Sequence, residues 1–114
     1  MRLIINADDF GYSTGQNLGI IEGYKHGCIT STTLLTTMPG TNQAINLAKE
    51  NPDLDVGIHL SLDLGTPICS RKEIPSLLQE NGSFKTYDLS QEVLPFVKEE
   101  VYKEWKAQIE FAIS

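Results

Sequence analysis

The chain has 114 residues, about the length of one small domain; 40% of them are hydrophobic and 21% are charged. This balance is typical of a folded globular protein and argues against disorder. The formal net charge of −6 repels phosphate backbones, so we expect no nucleic-acid partner.

Several features bear on cellular location. No stretch reaches the about 20 apolar residues of a membrane span, so we expect no membrane partner. The apolar run Leu3–Ile5 is shorter than the apolar core of a secretory signal. Cys28 and Cys69 form neither a disulfide framework nor a CxxC motif. Together these features predict a cytoplasmic protein.

The first half of the chain alternates between strand-like and helix-like segments. Residues 2–6 contain a continuous apolar run, typical of a strand covered on both faces. Ser13 begins a capping box for a helix over Asn17–His26, which Gly27 ends. The alternation then continues with a β-branched strand at Ile29–Thr37. A short helix, marked by Ala44, Leu47 and Ala48, ends at Asn51–Pro52, and a third strand follows at Val56–Leu62.

This order predicts right-handed βαβ crossovers and a parallel sheet, and hence the α/β fold class. Residues 65–87 lose periodicity and predict a long irregular loop. An apolar stripe then predicts an amphipathic helix with the stripe facing a core; its members are Val97, Val101, Trp105, Ile109 and Ala112. We interpret residues 1–114 as a single α/β unit, the first part of a larger domain.

Three residues are candidates for chemistry at one edge of this sheet. Asp8 and Asp9 are predicted just past the first strand, and His59 near the carboxyl end of the third, where ligands of α/β folds gather. Adjacent carboxylates repel one another unless a cation or proton intervenes. A divalent metal resolves the conflict, because one carboxylate becomes a ligand and the other a base. Imidazole also suits zinc and related metals.

Each feature taken alone has a purely structural interpretation. An acidic pair at a strand end is often a solvated turn, and a histidine in an apolar strand is more often a core residue. Only the joint arrangement indicates a metal. We interpret His26 as structural, because a partly positive side chain complements a helix C-terminus. The tripeptide Asp9–Gly11 matches a kinase metal-binding motif, but the other kinase motifs are absent.

Four segments together resemble a known family. They are NADDFG at Asn6–Gly11, Ser13 followed by Gly15–Asn17, GCITSTT at Gly27–Thr33 and VGIHL at Val56–Leu60. As a set they resemble the YdjC-like carbohydrate deacetylases, which include chitooligosaccharide deacetylase. The resemblance is strong from Leu3 to about Pro67.

This resemblance implies that residues 1–114 are the N-terminal part of a (β/α) barrel-like deacetylase fold. It implies removal of the acetyl group from N-acetylglucosamine units of short chitooligosaccharides, so a small acetylated oligosaccharide is the expected substrate. It also implies a divalent metal ion, magnesium or zinc, held by one aspartate and two histidines. Asp9 matches the ligand aspartate, His59 the first ligand histidine and Asp8 the general base; a homodimer is left open.

The sequence departs from the family pattern in one respect. Family members are more than twice as long, and a histidine-rich segment after a helix resembling Val97–Ile113 supplies their other metal histidine. This sequence has no histidine after His59. We therefore expect either a fragment of a longer protein or a truncated relative without activity.

Two alternatives belong to other functional classes. A phosphoacceptor receiver module has a similar length, a parallel sheet and a magnesium-binding acidic pair, and Asp63 would be its phosphoacceptor. Against it, the third strand carries His59, and no clear lysine-bearing fifth strand is found. The second alternative is a non-catalytic sugar-binding remnant.

Overall fold

The structure is a computed structural model that describes residues 1–88, 90–91 and 94–114. It divides into two compact units, Met1–His59 and Leu60–Ser114. Among the described residues, no helix is long and apolar enough to cross a membrane. That residues 1–114 form a single α/β unit within a larger domain, and that the protein is cytoplasmic, stay predictions.

The first unit is a parallel three-stranded sheet with helices in both crossovers. The strands lie in chain order, and both strand pairs are parallel. This arrangement confirms the predicted α/β class. The elements are β1 Asn6–Phe10, α1 Thr14–His26, β2 Ser31–Leu34, α2 Thr41–Glu50 and β3 Asp55–Ile58.

The first strand lies further along the chain than predicted. The first residue pair between β1 and β2 is Asn6 with Ser31, because β2 begins at Ser31. Leu3 and Ile4 are 69% and 77% exposed, so the prediction that both faces of the strand are covered is wrong for them. The acidic pair consequently lies within β1 rather than after it.

Helix α1 begins and ends on the predicted signals. The Ser13 hydroxyl accepts a hydrogen bond from the backbone N–H of Gln16 at 3.2 Å. Gly27 follows the last helical residue, and its N–H donates to the carbonyl of Gly23 at 3.1 Å. The core of this unit consists of Phe10, Ile20, Ile21, Leu34, Ala44 and Leu54.

The second unit is built on one long helix, α3, over Lys98–Ile113. Residues 65–87 are largely irregular, as predicted, but they contain a 3-10 turn at Pro75–Leu77 and an isolated antiparallel bridge between Leu78 and Phe84. They are not a loose loop, because they contribute to a core of their own that consists of Leu62, Ile74, Leu77, Leu78 and Phe84.

Helix α3 turns a largely polar face inward, which contradicts the predicted orientation for most of the apolar stripe; of that stripe, Val101 packs against the core. Glu104 and Gln108 are fully buried, whereas Trp105 and Ile109 are more than a third exposed. The Glu104 carboxylate accepts the backbone N–H groups of residues 68 and 69, each at 2.9 Å. The Gln108 amide bonds both the N–H and the carbonyl of Ser61. These bonds satisfy irregular backbone that an apolar stripe would leave unpaired.

We expect Glu104→Ala to lower the free energy of unfolding by about 2–5 kcal/mol, because the carboxylate of Glu104 is fully buried and two partly buried N–H groups would lose it as their acceptor. Urea unfolding of the whole protein measures this difference. Glu110→Ala on the same helix is the matched control. Its surface pair with Lys106, at 3.6 Å, contributes less than about 1 kcal/mol. Equal losses for the two variants would contradict the assigned role of Glu104.

Candidate metal centre

The acidic pair lies at a bulge in the sheet. The register between β1 and β2 shifts between Ala7 and Phe10, so Asp8 and Asp9 stand opposite the single residue Thr33. Asp9 has φ of +67°, in the left-handed region, which aspartate enters more readily than most residues. Bulges commonly re-aim side chains beside active sites. Here the bulge sets the direction of the Asp9 carboxylate.

The structure brings the side chains of Asp9 and His59 together. His59 is the first residue after β3, and its backbone N–H donates to the carbonyl of Leu34 at 2.8 Å. Its Nδ1 lies 3.2 Å from Oδ1 of Asp9. The His59 and Asp9 side chains are 32% and 37% exposed, so both reach the surface, although Nδ1 of His59 itself is shielded. It sits at the carboxyl edge of the sheet, where the sequence places ligand binding.

The polar atoms of this pair fit a divalent cation. Nδ1 of His59 is shielded from solvent and has no hydrogen-bond partner, because its contact with Asp9 does not have hydrogen-bond geometry. A cation would supply the missing partner. Two ligand atoms about 2.1 Å from one ion lie about 3.0 Å apart at octahedral angles and about 3.4 Å apart at tetrahedral angles. The observed 3.2 Å lies between these values.

The pair is not a complete metal site. The described residues contain no group of three His, Cys, Asp or Glu side chains arranged to hold a metal. His26 is exposed at the C-terminal end of α1, and its Nε2 lies 3.9 Å from Oε1 of Glu22. This position agrees with the structural role predicted for it. Burial, followed by the neighbouring Glu104, raises the pKa of the Cys69 thiol to about 11. The free Cys69 thiol is therefore neutral at physiological pH.

Asp8 has polar neighbours of its own. The Asn6 side chain donates to its Oδ1 at 2.8 Å, and the Thr33 hydroxyl makes a long contact of 3.5 Å with the same oxygen. The Ser31 hydroxyl in turn donates to Oδ1 of Asn6 at 2.8 Å. These residues share one face of the sheet, because side chains two apart on a strand point the same way.

Asn6, Ser31 and Thr33 lie beside Asp8 but were not predicted from the sequence as members of the site. A signal was available in the sequence, because Asn6 lies two residues before Asp8 on β1 and Ser31 lies two residues before Thr33 on β2. Once the parallel register between β1 and β2 is known, the polar face follows. The roles of Asp8 as base and of Asp9 and His59 as ligands stay predictions, and the 3.2 Å distance between Asp9 and His59 is compatible with the two ligand roles.

Comparison with known proteins relates the chain to one family. A family model described as YdjC-like protein matches residues 2–114. A carbohydrate deacetylase from Brevibacillus brevis is 46% identical over 109 residues, which is 96% of this chain and 42% of that protein. One from Clostridium beijerinckii is 56% identical over 88 residues, or 77% and 35% of the two chains.

A solved structure from Enterococcus faecalis, named for a proposed cleavage of cellobiose phosphate, is also similar. It is 45% identical, with a TM-score of 0.83 over 94% of this chain and 41% of the other. This likeness confirms the predicted fold class, a part of a barrel-like α/β architecture. The chain spans less than half the length of these relatives.

Proposed function

Because this chain belongs to the YdjC-like family of carbohydrate deacetylases, we propose that the whole protein is a divalent-metal hydrolase. It removes the acetyl group from N-acetylglucosamine units of short chitooligosaccharides. The observation that carries this proposal is the 3.2 Å approach of Asp9 Oδ1 to His59 Nδ1, an imidazole nitrogen with no hydrogen-bond partner. The two side chains would hold magnesium or zinc, and a further histidine would complete the ligand set.

The neighbouring carboxylates would divide two tasks between them. When bound, the ion would lower the pKa of a water towards about 7 and polarise the acetyl carbonyl. Asp9 and His59 would fix the ion at the edge of the sheet. Asn6 donates to Oδ1 of Asp8, which leaves Oδ2 to take a proton from the attacking water. The water oxygen bonds to the acetyl carbon, the C–N bond breaks, and the proton passes to the sugar amine, giving acetate and a free amine.

Acetate release from diacetylchitobiose by the whole protein tests this function. We expect release to stop after the metal is removed with a chelator and to resume when magnesium or zinc is returned. The product should be the sugar with a free amine, which mass spectrometry identifies. Release that chelation leaves unchanged would contradict the proposed metal dependence, and no release from any acetylated chitooligosaccharide would contradict the proposed substrate.

The two alternative functions, a receiver-type module and a sugar-binding remnant, predict different results for the same protein sample. The family matches do not favour the receiver-type module. Stable phosphorylation of Asp63 by acetyl phosphate would support that module, and Asp63→Asn is its control. A sugar-binding remnant would bind the oligosaccharide in calorimetry without releasing acetate.

A further inference from the structure

Asn17 lies fully buried in the first turn of α1, outside the acidic pair and the histidine already described. Its Oδ1 accepts the backbone N–H of Gly11 at 2.6 Å. Its Nδ2 donates to the carbonyl of Gly40 at 2.9 Å and to Oε1 of Gln43 at 2.9 Å. The amide thus uses its acceptor and both its donor hydrogens, so its orientation is determined by the hydrogen bonds themselves.

The backbone segments that Asn17 joins approach each other very closely. Gly11 has φ of +104°, and a Cβ there would lie 2.7 Å from the carbonyl of Leu35. A Cβ on Gly40 would lie 2.7 Å from the carbonyl of Gly11 and 3.0 Å from Nδ2 of Asn17. Neither position accepts a larger residue without movement. Asn17 therefore clamps the turn after β1 to the start of α2.

This clamped turn begins at the aspartate assigned to the metal. The carbonyl of Asp9 accepts the backbone N–H of Tyr12 at 3.1 Å, and the carbonyl of Phe10 accepts that of Leu35 at 2.7 Å. Gly11, the residue that Asn17 holds, lies inside the same turn. The left-handed φ of Asp9 is sparsely populated by non-glycine residues and persists only where the surroundings over-determine it. The Asn17 clamp is one such determinant.

We infer that Asn17 is a positioning residue for the metal centre. By holding Gly11, it keeps Asp9 in the conformation that places its carboxylate beside Nδ1 of His59. Asn17 is fully buried and is not one of the proposed ligands, so it acts through the turn that contains Gly11. This inference rests on the proposed function, since it assigns Asn17 a role toward the same ion. A purely structural role would change the stability of the protein but not its affinity for metal.

The test is metal affinity measured on folded protein. Zn²⁺ titration calorimetry of the whole protein compares the native form with Asn17→Ala, at a temperature where urea curves show both to be folded. We expect the Kd to rise about 10- to 100-fold, the usual effect of losing a residue that orients a ligand. Asn51→Ala is the matched control, because Asn51 is also a buried asparagine, bonded to the carbonyl of Leu47 at the end of α2. Its Kd should stay within about twofold of the native value.

A second measurement needs no variant. Metal binding and the clamp stabilise the same conformation, so Zn²⁺ should slow hydrogen exchange of the Gly11 amide in the native protein. We expect at least about tenfold more slowing there than at the amide of Asn51, which bonds to Ala48 in the α2 cap. Equal slowing at the two amides would overturn the role of Asn17.

The remaining outcomes separate this inference from the proposed function. Unchanged affinity in Asn17→Ala, or an equal loss in Asn51→Ala, would overturn the role of Asn17 and leave the metal site standing. A native protein that binds no divalent ion would overturn the proposed function itself, and the positioning role with it.

Discussion

We expect His59→Asn to remove most divalent-metal binding and, with it, acetate release. A lost ligand weakens metal binding more than the about 10- to 100-fold loss of an orienting residue, so the Kd should rise at least about 100-fold. Because the proposed ion would lower the activation barrier by several kcal/mol, kcat/KM should fall at least about 1,000-fold. Calorimetry with Zn²⁺ and an acetate assay on the whole protein measure the two effects.

His26→Asn is the control that the chain itself offers. The sequence has two histidines, and His26 is exposed at the end of α1. This variant removes the same chemical group without touching the Asp9–His59 pair, so metal affinity and turnover should both stay native. Full activity in His59→Asn would contradict the assigned ligand. Loss of activity in both variants would point instead to a general effect on folding.

Asp8→Asn should lower kcat by about 100- to 10,000-fold, the usual contribution of a general base. Asparagine has nearly the same size and keeps an oxygen that can accept the bond from Asn6, at 2.8 Å in the native protein. The variant therefore loses the ability to take a proton while the local hydrogen bonding is retained. Metal affinity should change little, because Asp8 is assigned no ligand role. Steady-state kinetics and Zn²⁺ calorimetry separate these expectations.

Asp55→Asn controls for the loss of one negative charge in the same unit. Asp55 is exposed at the amino end of β3, whereas His59 lies just past the carboxyl end of the same strand. We expect its kcat to equal that of the native protein. Native turnover in Asp8→Asn would remove Asp8 as the base. A large loss of metal affinity in Asp8→Asn would instead identify Asp8 as a metal ligand.

The order of the elements in the first unit was predictable because it depends on local patterns. Ser13 caps the start of α1 and Gly27 directly follows its last residue, as predicted, and the strand–helix alternation led to the parallel sheet that the structure has. The position of β1 was not predictable from its apolar run. A strand exists only where a neighbour pairs with it, and that neighbour begins at Ser31.

The second unit illustrates the same distinction on a helix. Apolar spacing correctly predicted that α3 exists, but it assigned the wrong face to the interior. Glu104 and Gln108 lie on the inward face because their side chains form hydrogen bonds with the irregular backbone at Cys69 and Ser61. An apolar period indicates which residues share a face, while the need to satisfy buried N–H groups decides what that face contacts.

By itself, the sequence determined the chemical identity of the candidate site and the succession of strands and helices, since side-chain type and apolar period are properties of neighbouring residues. The tertiary structure alone decided the bulge that re-aims Asp9, the approach of His59 and the Asn17 clamp. Each of these requires a partner distant in the chain; the partner of Asn17 at Gly40, for example, is 23 residues away. Such contacts form only after the strands have paired, because the register of the sheet determines which distant groups lie close together at its carboxyl edge.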